Sequence, residues 1–279
     1  YNLLLTLPFA HRFGHRVLSR SVVLAILATG IAIGIFSIRS PFDDMHQKRL
    51  FVLHHENLQT HAQDLHIAAA DGAPGLELLV ADIAKEFGVT DAPASFITMN
   101  DNNTDWNPLY PFSSFLSPYK VDLPSDPSFV PPSPPQEQFI ISAVNSTVDE
   151  AAGTRSFTLK VHHTGIIWTV IAFDAHVLKW TLDDSPPDEF ARHHIKEASF
   201  YGEDTWSVDL TLKLPLTGLL KVDYIGIGEK RMWPGKKSEK AGGGRAMMLF
   251  EEFDRYLEET TGGTVDALLL GCVGGETVI

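Results

Sequence analysis

The chain has 279 residues, 44% of them apolar, with 35 acidic against 22 basic side chains and a formal net charge of −13. That length allows one sizeable core or two small ones, and the acidic balance excludes the Lys/Arg surface that sequence-independent nucleic-acid binding needs. The single cysteine, Cys272, excludes an intrachain disulfide and any zinc site built on two or more thiolates; following an apolar run, it reads as a small buried hydrophobe.

Residues 1–10, YNLLLTLPFA, read as the end of a membrane helix cut by the fragment boundary, since the chain opens on Tyr1 and not on Met. Residues 11–20, HRFGHRVLSR, read as a short basic loop. Between Arg20 and Arg39 lie eighteen residues without a charge. As a helix they rise ~27 Å, close to the ~30 Å hydrocarbon layer of a bilayer. No polar face interrupts them, as an amphipathic surface helix would require. The run is longer than the apolar region of a signal peptide, and twenty residues precede it. Residues 21–38 are therefore predicted to span a membrane, with lipid as partner. Gly30 and Gly34 have the spacing that lets a second helix approach closely, although glycine is also simply common in membrane helices.

Short basic loops stay on the cytosolic side, whereas long domains cross largely regardless of charge, so residues 39–279 are expected on the lumenal or exterior side. Two acceptor triplets agree with that placement. They are Asn102-Asn103-Thr104 and Asn145-Ser146-Thr147, which make Asn102 and Asn145 candidate glycosylation sites.

The remainder reads as mostly β within an α+β class, an antiparallel, sandwich-like domain carrying two short helices. KRLFVLHHENL is a strand candidate. Residues 75–88 read as a helix, with Leu76, Leu79, Ile83 and Phe87 at helical spacing and Gly88 as a stop. Residues 118–137 form a Pro-rich loop outside the core. FIISAVNSTV, RSFTLKVHH, IIWTVIAF, HVLKWTL, DTWSVDLTLKL and LLKVDYIGIG read as strands between turns. Phe157, Leu159 and Val161 alternate with polar neighbours, the period of a half-buried strand. DEFARHHIKEASF reads as a helical turn, and residues 229–244 as a basic, Gly-rich, solvated loop. RAMMLFEEFDRYLEETTGG is an amphipathic helix closed by Gly262 and Gly263, and TVDALLLGCV is a last strand.

The search for chemistry is mostly negative. HHENLQTHAQDLH packs His54, His55, His61 and His66 with Glu56 and Asp64, but a zincin helix needs H-E-x-x-H, and Gln59 stands where the second imidazole belongs. As a strand the segment puts His54 and His55 on opposite faces, so exposed strand and loop histidines are expected. His162-His163 and His193-His194 read as structural hydrogen-bonding groups, and Asp183-Asp184 as turn residues. No G-x-S-x-G elbow, dinucleotide fingerprint or phosphate loop is found. Trp168, Trp180, Tyr201 and Trp206 either pack in the core or offer a sheet face to sugars or a peptide.

SPFDDMHQKRLFVLHHENL behind a single membrane helix, followed by TDWNPLYPFSSF, RSFTLKVHHTGIIWTVIAFDAHVLKWTLDD and DTWSVDLTLKLP, resembles the tail of fungal endoplasmic reticulum metallopeptidase 1-type proteins. The related vacuolar membrane proteases share the layout. The resemblance implies a parent with a lumenal zinc aminopeptidase-type domain, a membrane bundle and then this domain. It implies no catalytic or metal-binding residue and no cofactor in the present residues, with zinc belonging to the peptidase domain. The expected role is a scaffold or substrate-positioning domain in the reticulum or the vacuole. The alternative is a glycan- or protein-binding module on a membrane anchor.

Overall fold

The long apolar run of the sequence is a helix. Helix α1 (Leu7–Ile38) belongs to a unit, Tyr1–Gln47, separate from a second unit, Lys48–Ile279. The computed structural model describes residues 7–39, 41–90, 92–96, 107–109, 115–125, 138–200, 202–213, 219–234 and 244–279. From Gly14 to Ile38, 25 residues are long and apolar enough to cross a membrane, and the apolar window is 0% buried. The loop expected over residues 11–20 is helical instead on both sides of Gly14, whose φ of 72° absorbs a break that a side chain would resist. No proline stands between His15 and Arg20, so the helix resumes at once. Within the described chain, nothing lies within 4 Å of where a Cβ at Gly30 or Gly34 would be.

The second unit is mostly β, as predicted. Its described strands are β1 (Lys48–Asn57), β2 (Gln63–Ala69), β3 (Ser95–Phe96), β4 (Tyr119–Asp122), β5 (Ile140–Asp149) and β6 (Thr154–His162), then β7 (Ile166–Trp180), β8 (Phe190–Ala198), β9 (Thr205–Lys213), β10 (Lys221–Trp233) and β11 (Val265–Val278). Their order is β3-β4-β2-β1-β11-β10-β7-β9-β6-β5, with β8 also on β7. Pairing is antiparallel except between β1 and β11, which run parallel with Leu53 opposite Leu270.

Two layers of apolar side chains result. Helices α2 (Leu76–Phe87) and α3 (Gly244–Thr261) lie over β1, β2, β4 and β11, enclosing Val52, Leu65, Ile67, Ile83, Phe250 and Phe253. At the other end β5, β6 and β9 pack against β7, β8 and β10, enclosing Phe157, Leu159, Phe173, Ile195, Leu210 and Val222. Strand β7 joins the two sheets of the sandwich: Ile166–Ala172 pairs with β10, and Val177–Trp180 pairs with β9 across a register shift.

Four local expectations are corrected. IIWTVIAF and HVLKWTL are one strand, because Asp174, read as a turn, sits in the ladder opposite Arg192 and receives its charge. Residues 190–198 are a strand and not a helical turn; His193 and Ile195 point inward while Arg192 is held by Asp174 and Asp223. The Pro-rich loop gives up Tyr119–Asp122 to β4, whose Val121 is buried; Pro118 and Pro124 bracket those residues and leave their N–H groups free to pair. Residues 229–233 of the expected basic loop belong to β10, which continues past a bulge to place Met232 opposite Leu270 and Trp233 opposite Leu269; residues 235–243 lie outside the described residues.

Candidate functional site

The histidine-rich stretch folds as β1, a turn and β2. Register sets His54 opposite Leu65, His55 opposite Asp64 and Glu56 opposite Gln63. Alternation then divides these groups between the two faces of the sheet. The exposed histidines expected here are a correction: His54 and His66 are both 0% exposed. The sheet is covered on both sides, and that cover comes from segments distant in sequence.

On the helix-covered face, the His54 ring meets Phe250 of α3 edge-on at 6.1 Å. His54 Nε2–H donates to Gln63 Oε1 at 2.8 Å, and Nδ1 has no hydrogen-bond partner among the described residues. Burial pushes the imidazole pKa down to about 4, against the partial pull of Gln63 and Glu56. Glu56 accepts from Arg245 of α3 at 2.5 Å and from Arg231 of β10 at 3.2 Å. Burial alone would raise its pKa, but the two guanidinium groups outweigh it and hold the carboxyl below its usual range. Arg231 crosses this face because Gly271 leaves room: a Cβ there would sit 2.6 Å from Arg231 Cβ.

The opposite face opens into a cleft of about 540 Å³ walled in part by His55, Asp64, His66, Lys120, Tyr224 and Glu276. Asp64 lies 2.7 Å from His66 Nε2, 3.4 Å from His55 Nδ1 and 3.5 Å from Lys120 Nζ. The two imidazoles stack at 5.9 Å. Burial favours the neutral acid, yet the hydrogen bonds from His55 and His66 prevail and hold the Asp64 carboxyl far below the usual range. A carboxylate held that low is a poor proton acceptor at neutral pH. Gln59, where a zincin would have its second histidine, donates to Tyr224 Oη at 2.9 Å and to the Glu276 carbonyl at 2.8 Å. It fixes the turn against β10 and β11.

These residues do not fit a zinc ion. His54 and His55 face apart, and among the described residues no three His, Cys, Asp or Glu side chains converge as a metal would require. Cys272 is fully buried, with its thiol pushed up to about 12 by burial, which leaves no thiolate to react.

Of the two histidine pairs, His163 and His193 hydrogen-bond structurally, as expected. His163 Nδ1–H donates to the Ile166 carbonyl and His193 Nε2–H to the Ala175 carbonyl, each at 2.9 Å. Asp183 and Asp184 lie in the bend after β7, where Trp180 Nε1–H donates to the Asp184 carbonyl. Trp180 and Trp206 pack against the sandwich core, while Trp168 is partly exposed under Lys196. Tyr201 and Asn102 lie outside the described residues. Asn145 is exposed in β5 with φ 54°. Sequence reasoning missed the roles of Lys120, Arg231 and Arg245. The only signal was a basic residue on either side of a Gly-rich segment, with nothing to connect it to Glu56.

No protein-family model matches the chain. Two solved structures overlap it loosely. The Fcho1 Mu homology domain of Danio rerio with bound Eps15 peptide is 10% identical, covers 82% of this chain and 94% of its own, and has a TM-score of 0.25. CBD12 from CALX1.2 is 12% identical, covers 81% and 98%, and has a TM-score of 0.20. Neither score indicates a shared fold. In sequence the similarity is far greater: over 270 residues, 96% of its length, the chain is 32% identical to the Schizosaccharomyces pombe protein named "Putative endoplasmic reticulum metallopeptidase 1", of which it spans 31%, consistent with the C-terminal region that the resemblance pointed to.

Proposed function

We propose that this chain supplies the last membrane helix and the lumenal domain of a membrane metallopeptidase of the endoplasmic reticulum. On this reading the β unit cleaves nothing itself and serves as a scaffold that positions substrate for a zinc-bearing peptidase domain elsewhere in the full-length protein. The observation that carries the proposal is the end-to-end similarity to about a third of one protein named as a metallopeptidase, joined to a 25-residue helix long and apolar enough to cross a membrane. The chemistry of the histidine-rich stretch agrees. Its charged groups are spent on one another, and no nucleophile stands beside a free base there. Asn102 and Asn145 are the acceptors through which lumenal residence would leave a glycan.

The test has two arms. The detergent-solubilised chain, supplied with zinc, is expected to give no chelator-sensitive peptide cleavage; robust turnover abolished by a chelator overturns the scaffold role. In the full-length protein, removing residues 48–279 is expected to lower peptidase activity while zinc content stays unchanged. Full activity without those residues overturns the role as well.

A further inference from the structure

Among the described residues, strand β5 ends the sheet order and pairs with β6 alone. Its residues Ile140–Val148 carry neither a charge nor a proline. From Val144 to Asp149 every residue is exposed, including the apolar Val144 and Val148. A free edge that is β-branched, uncharged and nine residues long is a template for pairing with another chain. Edges of this kind are blunted by lysine, proline, a bulge or a cover. Here the register shifts between Val144 and Thr147, so Asn145 and Ser146 stand out of the ladder. Asn145 takes the left-handed conformation that asparagine tolerates, with φ 54°, and its side chain is exposed. Beside it the Ser146 hydroxyl accepts from Arg155 Nε at 3.2 Å, which pins the lifted segment to β6.

We infer that Asn145 carries an N-linked glycan whose work is to cover the β5 edge and keep the domain from pairing with a second copy of itself. The inference rests on the lumenal placement proposed above. The bulge alone interrupts only two positions, whereas a branched, hydrated oligosaccharide rooted at its crest excludes a second backbone along the strand on either side. Without the glycan, the exposed Val144 and Val148 and an edge that no other described strand covers are left to face water.

The full chain, expressed in a secretory-competent eukaryotic host and solubilised in detergent, tests this. Endoglycosidase treatment and mass spectrometry are expected to find a glycan at Asn145. Thr147→Ala removes the acceptor signal without disturbing the Asn145 backbone and is expected to lose the glycan and self-associate in sedimentation velocity. Thr147→Ser keeps both glycan and monomer. Val148→Lys added to Thr147→Ala places a charge on the bare edge and is expected to restore the monomer. Ala152→Asn completes a triplet with Gly153 and Thr154 in the exposed β5–β6 turn and reports placement independently. A glycan at position 152 with none at Asn145 overturns the inference and leaves the placement standing. No glycan at either position overturns both. A glycosylated wild type whose Thr147→Ala variant stays monomeric overturns the shielding role alone.

Discussion

The two ends of the β unit share one sheet but bury different things. Under α2 and α3 the sheet buries charge and imidazole beside its apolar core: Glu56 between two arginines, His54 against Phe250, and Asp64 among His55, His66 and Lys120 on the reverse face. At the sandwich end the described interior is apolar but for His163 and His193, each satisfied by one nearby carbonyl, and Thr169, which accepts from Trp206 Nε1–H at 2.9 Å. The partners at the helix-covered end come from far along the chain. Glu56 is 175 residues from Arg231 and 189 from Arg245, whereas β5 and β6 close a hairpin. One end is held by a polar arrangement that exists only once the fold is complete, and the other by local strand pairing and packed hydrocarbon. The first should therefore answer to pH and the second chiefly to volume.

The largest effects come from truncating the fully buried anchors. Phe250→Ala removes a ring from the helix-covered core and is expected to cost about 4 kcal/mol; Leu159→Ala in the sandwich is expected to cost about 3 kcal/mol. Both are read by denaturant unfolding of the solubilised chain. Their pH behaviour is the sharper readout. Phe250→Ala opens the wall over His54, admits water and should weaken the acid sensitivity described next, while Leu159→Ala should leave it intact. Equal loss of acid sensitivity in both variants would break the distinction between the two ends.

That sensitivity follows from His54. Its folded pKa of about 4 lies below the ordinary value of 6.5. Between those values the unfolded chain takes up a proton that the folded chain refuses, so acid favours unfolding. The contribution is complete above pH 6.5 and declines as pH falls toward 4, by about 2 kcal/mol at pH 5. Asp64, also depressed, adds a loss of the same sign, starting where an unfolded aspartate begins to protonate, near pH 4. His54→Gln cannot titrate, and its stability between pH 6.5 and 5 is expected to be flatter than that of the parent. An unchanged slope would move the acid sensitivity elsewhere.

What the sequence made legible follows the same division. Strands with one wet and one dry face announced themselves by alternation, as Phe157, Leu159 and Val161 did in β6, and both helices of the β unit showed their periodic faces and glycine stops. The strands that escaped notice, or were read as something else, have their polar residues neutralised by other strands. Asp174 looks like a turn until Arg192 of β8 lies opposite, and Arg192-His193 looks like a helical surface until Asp223 of β10 and the Ala175 carbonyl accept from them. The separation of His54 from His55 was legible, because it is a property of one strand. The burial of His54 and His66 was not legible, because it depends on segments distant in sequence. The apolar helix needed no partner to be read, since its own length and composition make it a candidate membrane span.

The smallest expected effect concerns an exposed charge at the sandwich end. Lys196 Nζ lies 4.2 Å from the centroid of the Trp168 ring, across the β7–β8 pair, and burial lowers the lysine pKa. Trp168 is 37% exposed, so water still screens the pair. A cation over an exposed indole contributes about 0.5–1 kcal/mol. A double-mutant cycle of Lys196→Ala and Trp168→Ala is expected to give a coupling in that range, reduced further by high salt. The contrast with Glu56 lies in solvation and not in the number of contacts. Glu56 and its arginines have lost most of their water, so each needs the others. Lys196 keeps enough water to do without the ring. A coupling above about 2 kcal/mol would mean that this charge too is desolvated, as Glu56 is.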